Sequence, residues 1–106
     1  MRYVMDRVKY KKSIGIRLNS EARNAEKPGF EEQFEYVRNV LSPTMHVHDL
    51  KDPKYPYQLV VNTLAKAGWD GWAFLEVGSN FPDRVAMLAD SRVIWEKMVA
   101  NAGAET

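Results

Sequence analysis

The chain has 106 residues, of which 45% are hydrophobic and 27% charged, and it carries no cysteine. This length suits one domain with a modest core, and the missing cysteine excludes disulfides, thiolate nucleophiles and cysteine-ligated metals. The formal net charge of +1 gives no strong attraction to nucleic acid or membranes, and no apolar run approaches the roughly 20 residues that span a bilayer. Because the N-terminus has no secretory pattern, a cytoplasmic protein is expected.

The first third of the chain is predicted to hold a helix, a strand and a polar loop. Residues 2–9 have helical periodicity, whereas residues 14–18 alternate with period two, as a strand does. The alternation places Arg17 and Asn19 together on one face of that strand. Residues 19–29 lack apolar periodicity and are predicted to form a loop.

The middle of the chain is predicted to form a helix, a second strand and another helix. Residues 30–41 repeat apolar side chains at helical spacing, and the dipeptide Ser42-Pro43 ends that helix. Residues 44–49 form the second strand. The next helix runs from Pro56 to about Ala67, and Gly68 is its C-cap candidate.

The last third begins with a tight Asp70-Gly71 turn and a short apolar strand over residues 72–77. Asp83 is the predicted N-cap of a final helix from about residue 84 to 100, and residues 101–106 are predicted to be a frayed tail. The face of this helix toward the sheet is predicted to contain Val85, Leu88, Arg92, Trp95 and Met98 or Val99.

The alternation of helices and strands predicts a single α/β domain over residues 1–106 with a parallel sheet. The carboxyl ends of parallel strands meet at one edge of the sheet, where chemistry is usually found. His46 and His48 lie two apart near the end of the second strand, so both face one side of it. Glu76 lies near the end of the third strand. These three side chains are therefore candidates for one shared site.

The strands and their flanks carry motifs that resemble a known family. Residues 64–76 read LAKAGWDGWAFLE, residues 46–49 read HVHD, and residues 14–19 read IGIRLN. They are similar, respectively, to the eighth, seventh and sixth strands of xylose isomerase-like TIM barrels, the sugar phosphate isomerases and epimerases. The resemblance implies three parallel βα units, about strands six to eight of a (β/α)8 barrel. It also implies a C-terminal fragment whose N-terminal barrel part is missing.

The resemblance further implies a divalent metal, Mn²⁺, Zn²⁺ or Mg²⁺, that stabilises an enediolate while glutamates move the proton. Matched by position, His46, Glu76 and Asn19 would be metal ligands, and Glu76 would also be the catalytic acid/base. His48 and Arg17 would contact the substrate, a sugar or sugar phosphate. Because Asn19 stands where the family has an Asp, metal binding by this chain is expected to be weak or absent, and the chain alone is expected to be inactive.

The residues themselves leave plainer interpretations open. Both histidines suit an ordinary half-exposed strand, Glu76 suits a solvated strand end, and Trp72 suits core or rim packing. Arg17 suits a phosphate contact, a pair with Glu76 or the surface. The alternative function is a non-catalytic α/β module that forms homo-oligomers through its exposed sheet. An antiparallel pairing of residues 44–49 with 72–77 would exclude the barrel.

Overall fold

The chain folds as an α/β structure with a parallel sheet, as the alternation of elements predicts. The computed structural model describes residue 17, residues 26–78 and residues 80–105. The elements in chain order are helix α1 (Phe30–Val37), a 3₁₀ turn (Arg38–Val40), strand β1 (Thr44–Val47), helix α2 (Tyr57–Lys66), strand β2 (Trp72–Leu75) and helix α3 (Arg84–Glu105).

Strands β1 and β2 pair in parallel without offset, so that Thr44 lies opposite Trp72 at the start of the ladder. The Trp72 N–H donates to the Pro43 carbonyl at 2.8 Å, which extends the ladder at its amino end. The Glu76 N–H donates to the Val47 carbonyl at 2.7 Å, which extends it at its carboxyl end. Helix α2 connects the two strands, as parallel pairing requires.

The core lies between the helices and one face of the sheet. Along β1 the alternation sends Met45 and Val47 into the core and turns His46 to the opposite face. Ala73 and Leu75 of β2 pack against the same core. The buried cluster comprises Phe34, Met45, Val47, Leu50, Tyr57, Val60 and Leu64.

Two predicted helix caps are confirmed. Helix α2 is followed by Gly68 in the left-handed conformation (φ 77°), and the Trp69 N–H reaches back to the Leu64 carbonyl at 3.0 Å. This arrangement satisfies carbonyls that a helix end leaves without partners. At the start of α3, Asp83 Oδ1 accepts a hydrogen bond from the Ala86 N–H at 3.0 Å.

Two helix ends differ from the prediction. Helix α1 stops at Val37, and Leu41 is already extended (ψ 133°), since the chain must leave the helix before Pro43. Helix α3 continues to Glu105 and so includes most of the segment predicted to be a frayed tail. Ala102 is buried there, so packing extends this helix beyond the point where the sequence periodicity ends.

The face of helix α3 predicted to lie toward the sheet is confirmed only in the second half of the helix. Trp95 and Met98 pack against the core as predicted, and Ile94 joins them. Val85 and Leu88, also predicted to face the sheet, are 77% and 53% exposed, and the side chain of Arg92 is 80% exposed. Apolar residues occupy two neighbouring stripes of this helix, and the sequence pattern alone does not distinguish which stripe is buried.

The described residues contain two βα units, β1–α2 and β2–α3. The predicted helix over residues 2–9 lies outside the described residues, and so does the predicted strand over residues 14–18 apart from Arg17. None of the helices within residues 26–78 and 80–105 combines the length and apolar character needed to cross a membrane.

Candidate functional site

Two predicted site residues, His46 and Glu76, lie together at the carboxyl end of the sheet. His46 is on β1 and Glu76 directly follows β2. The register places His46 opposite Phe74, so Glu76 lies two positions further along the neighbouring strand and on the same face. The prediction that the ends of the two strands are neighbours is therefore confirmed.

Three side chains form a hydrogen-bonded series across this edge. His46 Nδ1 lies 2.8 Å from Glu76 Oε2, and His46 Nε2 lies 3.0 Å from Nη1 of Arg17. A guanidinium can only donate hydrogen bonds, so Nε2 must accept and carries no proton. Nδ1 then carries the ring proton and donates a hydrogen bond to the Glu76 carboxylate. The arrangement therefore selects the neutral Nδ1–H tautomer of His46.

Water reaches this cluster. The side chain of His46 is 28% exposed and that of Glu76 is 57% exposed, and Arg17 is also exposed. At such exposure a polar pair stabilises a fold by only about 0.2–1 kcal/mol. The cluster is therefore a minor contributor to stability, and its side chains are accessible to a ligand.

Aromatic side chains flank the cluster on the face of the sheet that points away from the core. Trp72 is 73% exposed and Phe74 is 52% exposed, whereas Ala73 and Leu75 between and beyond them turn inward. The sequence predicts core or rim packing for Trp72, and the high exposure excludes the core. The face therefore combines an apolar surface with a polar edge, a composition typical of binding sites.

His48 is held by contacts beyond the end of β1. Its ring stacks on Tyr55, with ring centroids 4.8 Å apart, and its backbone N–H donates to the Tyr57 hydroxyl at 2.6 Å. Burial raises the pKa of Tyr57 to about 12, so its hydroxyl stays protonated at neutral pH. The predicted contact of His48 with substrate stays a prediction.

Within the described part of the chain, His46 and Glu76 by themselves do not form a divalent metal site. Protein metal sites generally use three or more side chains, and the described ranges contain no group of three His, Cys, Asp or Glu able to hold one. Both nitrogens of His46 are engaged, and the cation beside Nε2 would repel a metal. Asn19, the third ligand that the resemblance implies, lies outside the described residues, so the metal site stays a prediction.

Tyr57 is the supporting residue that the sequence reasoning missed. It is 1% exposed and combines a core position with the hydrogen bond that fixes His48. The sequence contains a signal for its burial, because four apolar or aromatic residues follow the spacing of one helical face: Tyr57, Val60, Val61 and Leu64. The predicted helix from Pro56 to about Ala67 includes Tyr57, but the prediction gives this side chain no role in the core or at the site.

No known protein family, curated protein or solved structure matches this chain. The functional interpretation therefore depends on two things: the geometry of Arg17, His46 and Glu76, and the resemblance of the strand motifs.

Proposed function

We propose that this chain forms the last βα units of a xylose isomerase-like barrel and contributes proton-transfer residues to a sugar or sugar phosphate isomerase or epimerase. The observation that carries this proposal is the 2.8 Å hydrogen bond between His46 and Glu76 at the carboxyl ends of adjacent parallel strands. Active sites of parallel barrels lie at this end of the sheet.

The distribution of side chains over the sheet supports a barrel wall. Helices cover the face that bears Met45 and Val47, whereas Trp72 and Phe74 lie on the other face, which no helix within residues 26–78 and 80–105 covers. In a complete barrel that second face is the inner one and is filled by side chains of other strands. Residues 14–18 would supply the strand that precedes β1, and further βα units would close the sheet.

In the proposed reaction Glu76 removes a proton from the hydroxyl-bearing carbon beside the substrate carbonyl, which leaves an enediolate. It then returns the proton to the former carbonyl carbon, while the proton of the adjacent hydroxyl passes to the former carbonyl oxygen. His46 holds the carboxylate through its Nδ1–H, which fixes the direction of the basic oxygen. Arg17 places a positive charge near the site and would stabilise the enediolate oxygen. No step is assigned to a metal ion, because the described residues do not fit one.

The proposal predicts proton exchange in D₂O between solvent and the carbon beside the carbonyl of a ketose or aldose phosphate. The chain alone is expected to be inactive as an isomerase, since most of the pocket would lie on other βα units, and proton exchange is the partial step that its own residues would support. Removing a positioned acid or base lowers such a rate about 10²–10⁴-fold. The exchange rate, followed by proton NMR, should therefore fall to the uncatalysed rate in Glu76→Gln. In His46→Ala the rate should also fall strongly.

Glu96→Gln is the matched control, because Glu96 is an exposed carboxylate on α3 that pairs with Arg92. It should leave the exchange rate unchanged. Exchange that is no faster than the uncatalysed rate with every sugar tested would contradict the proposal. Exchange that persists in Glu76→Gln would also contradict it.

A second candidate function is self-association without catalysis, which the exposure of Trp72 and Phe74 favours. If two copies buried these rings against each other, they would remove roughly 500 Å² from water, a substantial part of the ~1,600 Å² of a standard interface. Apolar patches of this kind on one face often mark an interaction surface. The partner in this case is a second copy of the chain.

Self-association predicts a discrete oligomer in sedimentation velocity that dissociates when both rings are replaced by threonine. Trp72→Thr with Phe74→Thr keeps residues suited to a strand while it removes the apolar surface. The matched control is Val85→Thr with Val93→Thr, which changes exposed apolar residues of α3. A wild-type chain that is monomeric at high concentration would exclude this function.

A further inference from the structure

Arg17 occupies an unusual position for an exposed guanidinium. In the described part of the chain it donates to His46 Nε2, a neutral acceptor, and not to a carboxylate. Glu76 lies on the other side of the same ring and accepts from Nδ1. The positive charge of Arg17 is thus separated from the nearest negative charge of the cluster by an imidazole.

A single hydrogen bond to a ring nitrogen engages only a small part of the donor capacity of a guanidinium. Arginine carries five N–H donors in a planar fork, and this fork matches the two oxygens of a phosphate or carboxylate. Charge-assisted bonds of that kind are stronger than bonds to neutral acceptors. An oxyanion at this edge would therefore compete successfully with His46 for Arg17.

We propose that Arg17 is an oxyanion anchor that covers the Nε2 lone pair of His46 until an anionic ligand draws the guanidinium away. The ligand class is a small molecule with a phosphate or carboxylate group. Once Arg17 turns to the anion, the uncovered Nε2 accepts a hydrogen bond from a hydroxyl of the same ligand. Glu76 keeps the ring in the required tautomer throughout, because its bond to Nδ1–H is not disturbed.

The surroundings suit such a ligand. Trp72 and Phe74 provide an exposed apolar surface beside the polar edge, on which the uncharged part of the ligand can lie. This inference goes beyond the proposed function, because it concerns binding and the exposure of one lone pair. It does not depend on which reaction the site catalyses, or on the site being catalytic at all.

The test uses the ¹⁵N-labelled full chain and long-range proton–nitrogen NMR spectra of the imidazoles. The chain has only two histidines, and His48→Gln assigns the signals of His46. The free protein should show the Nδ1–H tautomer. Inorganic phosphate, titrated at constant ionic strength against sodium chloride, should shift Nε2 and the Arg17 Nε–H together with saturation.

Arg17→Gln should weaken this binding about 10- to 100-fold, the loss expected for a charge-assisted contact. Arg38→Gln, which removes an exposed arginine paired with Glu35, should bind phosphate as the wild type does. A parallel titration with acetate distinguishes the sources of the anion: saturation by phosphate alone supports a phosphoryl ligand, and saturation by acetate alone supports a carboxylate.

Three results would overturn the proposal. The first is a free protein with His46 in the Nε2–H tautomer, which is incompatible with Arg17 donating to that atom. The second is a titration in which neither phosphate nor acetate saturates. The third is equal binding by Arg17→Gln and wild type while the amide spectra of the two proteins overlay, which would show that the fold is intact and the anion binds elsewhere. None of these measurements depends on isomerase activity. A negative result in the exchange assay would therefore contradict the proposed function without contradicting the role of Arg17.

Discussion

Gly71→Ala is expected to lower the free energy of unfolding by about 3 kcal/mol, the upper part of the usual range for overpacking. A Cβ at this position would lie directly against the Pro43 carbonyl oxygen and the ring of Trp69. Neither neighbour can retreat easily. The carbonyl accepts the Trp72 N–H that opens the β1–β2 ladder, and the indole Nε1–H of Trp69 donates to the Ser42 carbonyl at 3.0 Å.

Urea unfolding followed by tryptophan fluorescence measures this effect. Gly78→Ala is the matched control, because a Cβ there meets no atom within 4 Å, and its stability should stay within about 0.5 kcal/mol of the wild type. The slope with urea should be unchanged in both variants. If Gly71→Ala proves as stable as Gly78→Ala, the close approach of the turn to Pro43 is wrong.

Tyr57→Phe is expected to destabilise the fold by about 1–2 kcal/mol at neutral pH, because it leaves the backbone N–H of His48 without its acceptor. The ring itself is retained, so stacking on Tyr55 at 5.4 Å between centroids should persist. Tyr57→Ala also removes the ring from the core and should cost about 3–5 kcal/mol, as other buried aromatic truncations do.

The same hydroxyl predicts a loss of stability in alkali. Burial raises the pKa of Tyr57 to about 12 from the usual tyrosine value of 10.0, so the unfolded chain releases this proton at a lower pH than the folded chain. The stabilisation is complete below about pH 10 and is lost as pH rises toward about 12, to a total of about 2–3 kcal/mol.

Urea unfolding at a series of pH values from about 8 to 11 tests this linkage. The advantage of wild type over Tyr57→Phe should shrink as the pH rises, because the phenylalanine variant has no such proton to release. A constant difference between wild type and Tyr57→Phe at all pH values would contradict the raised pKa.

The elements of this fold that the sequence predicts well are those with a local signal. Helix α2 has an apolar face at helical spacing, Pro56 before its first residue and Gly68 after its end, and it was placed to within a residue. The strands follow from short apolar runs, and their parallel pairing follows from the helix between them. Helix α3 has two apolar stripes, and the sequence pattern did not show which of them would be buried.

The site was predictable only in part, for a similar reason. That His46 and Glu76 would meet follows from parallel strand ends, a property of topology. The position of Arg17 on the far side of the imidazole does not follow, because several partners were compatible with its place in the sequence. The exposure of Trp72 was also missed, since all four residues of β2 are apolar and period-two alternation gives no contrast between its faces.

The parallel register has a consequence for the order in which the molecule is assembled. Thr44 and Trp72, partners in the ladder, are 28 positions apart in the chain, so the strands cannot zip from a hairpin and must wait for the crossover between them. During synthesis the imidazole-bearing strand emerges well before the strand that leads to the carboxylate. The hydrogen bond between His46 and Glu76 is therefore a property of the finished molecule alone, and a nascent or partly folded chain lacks it.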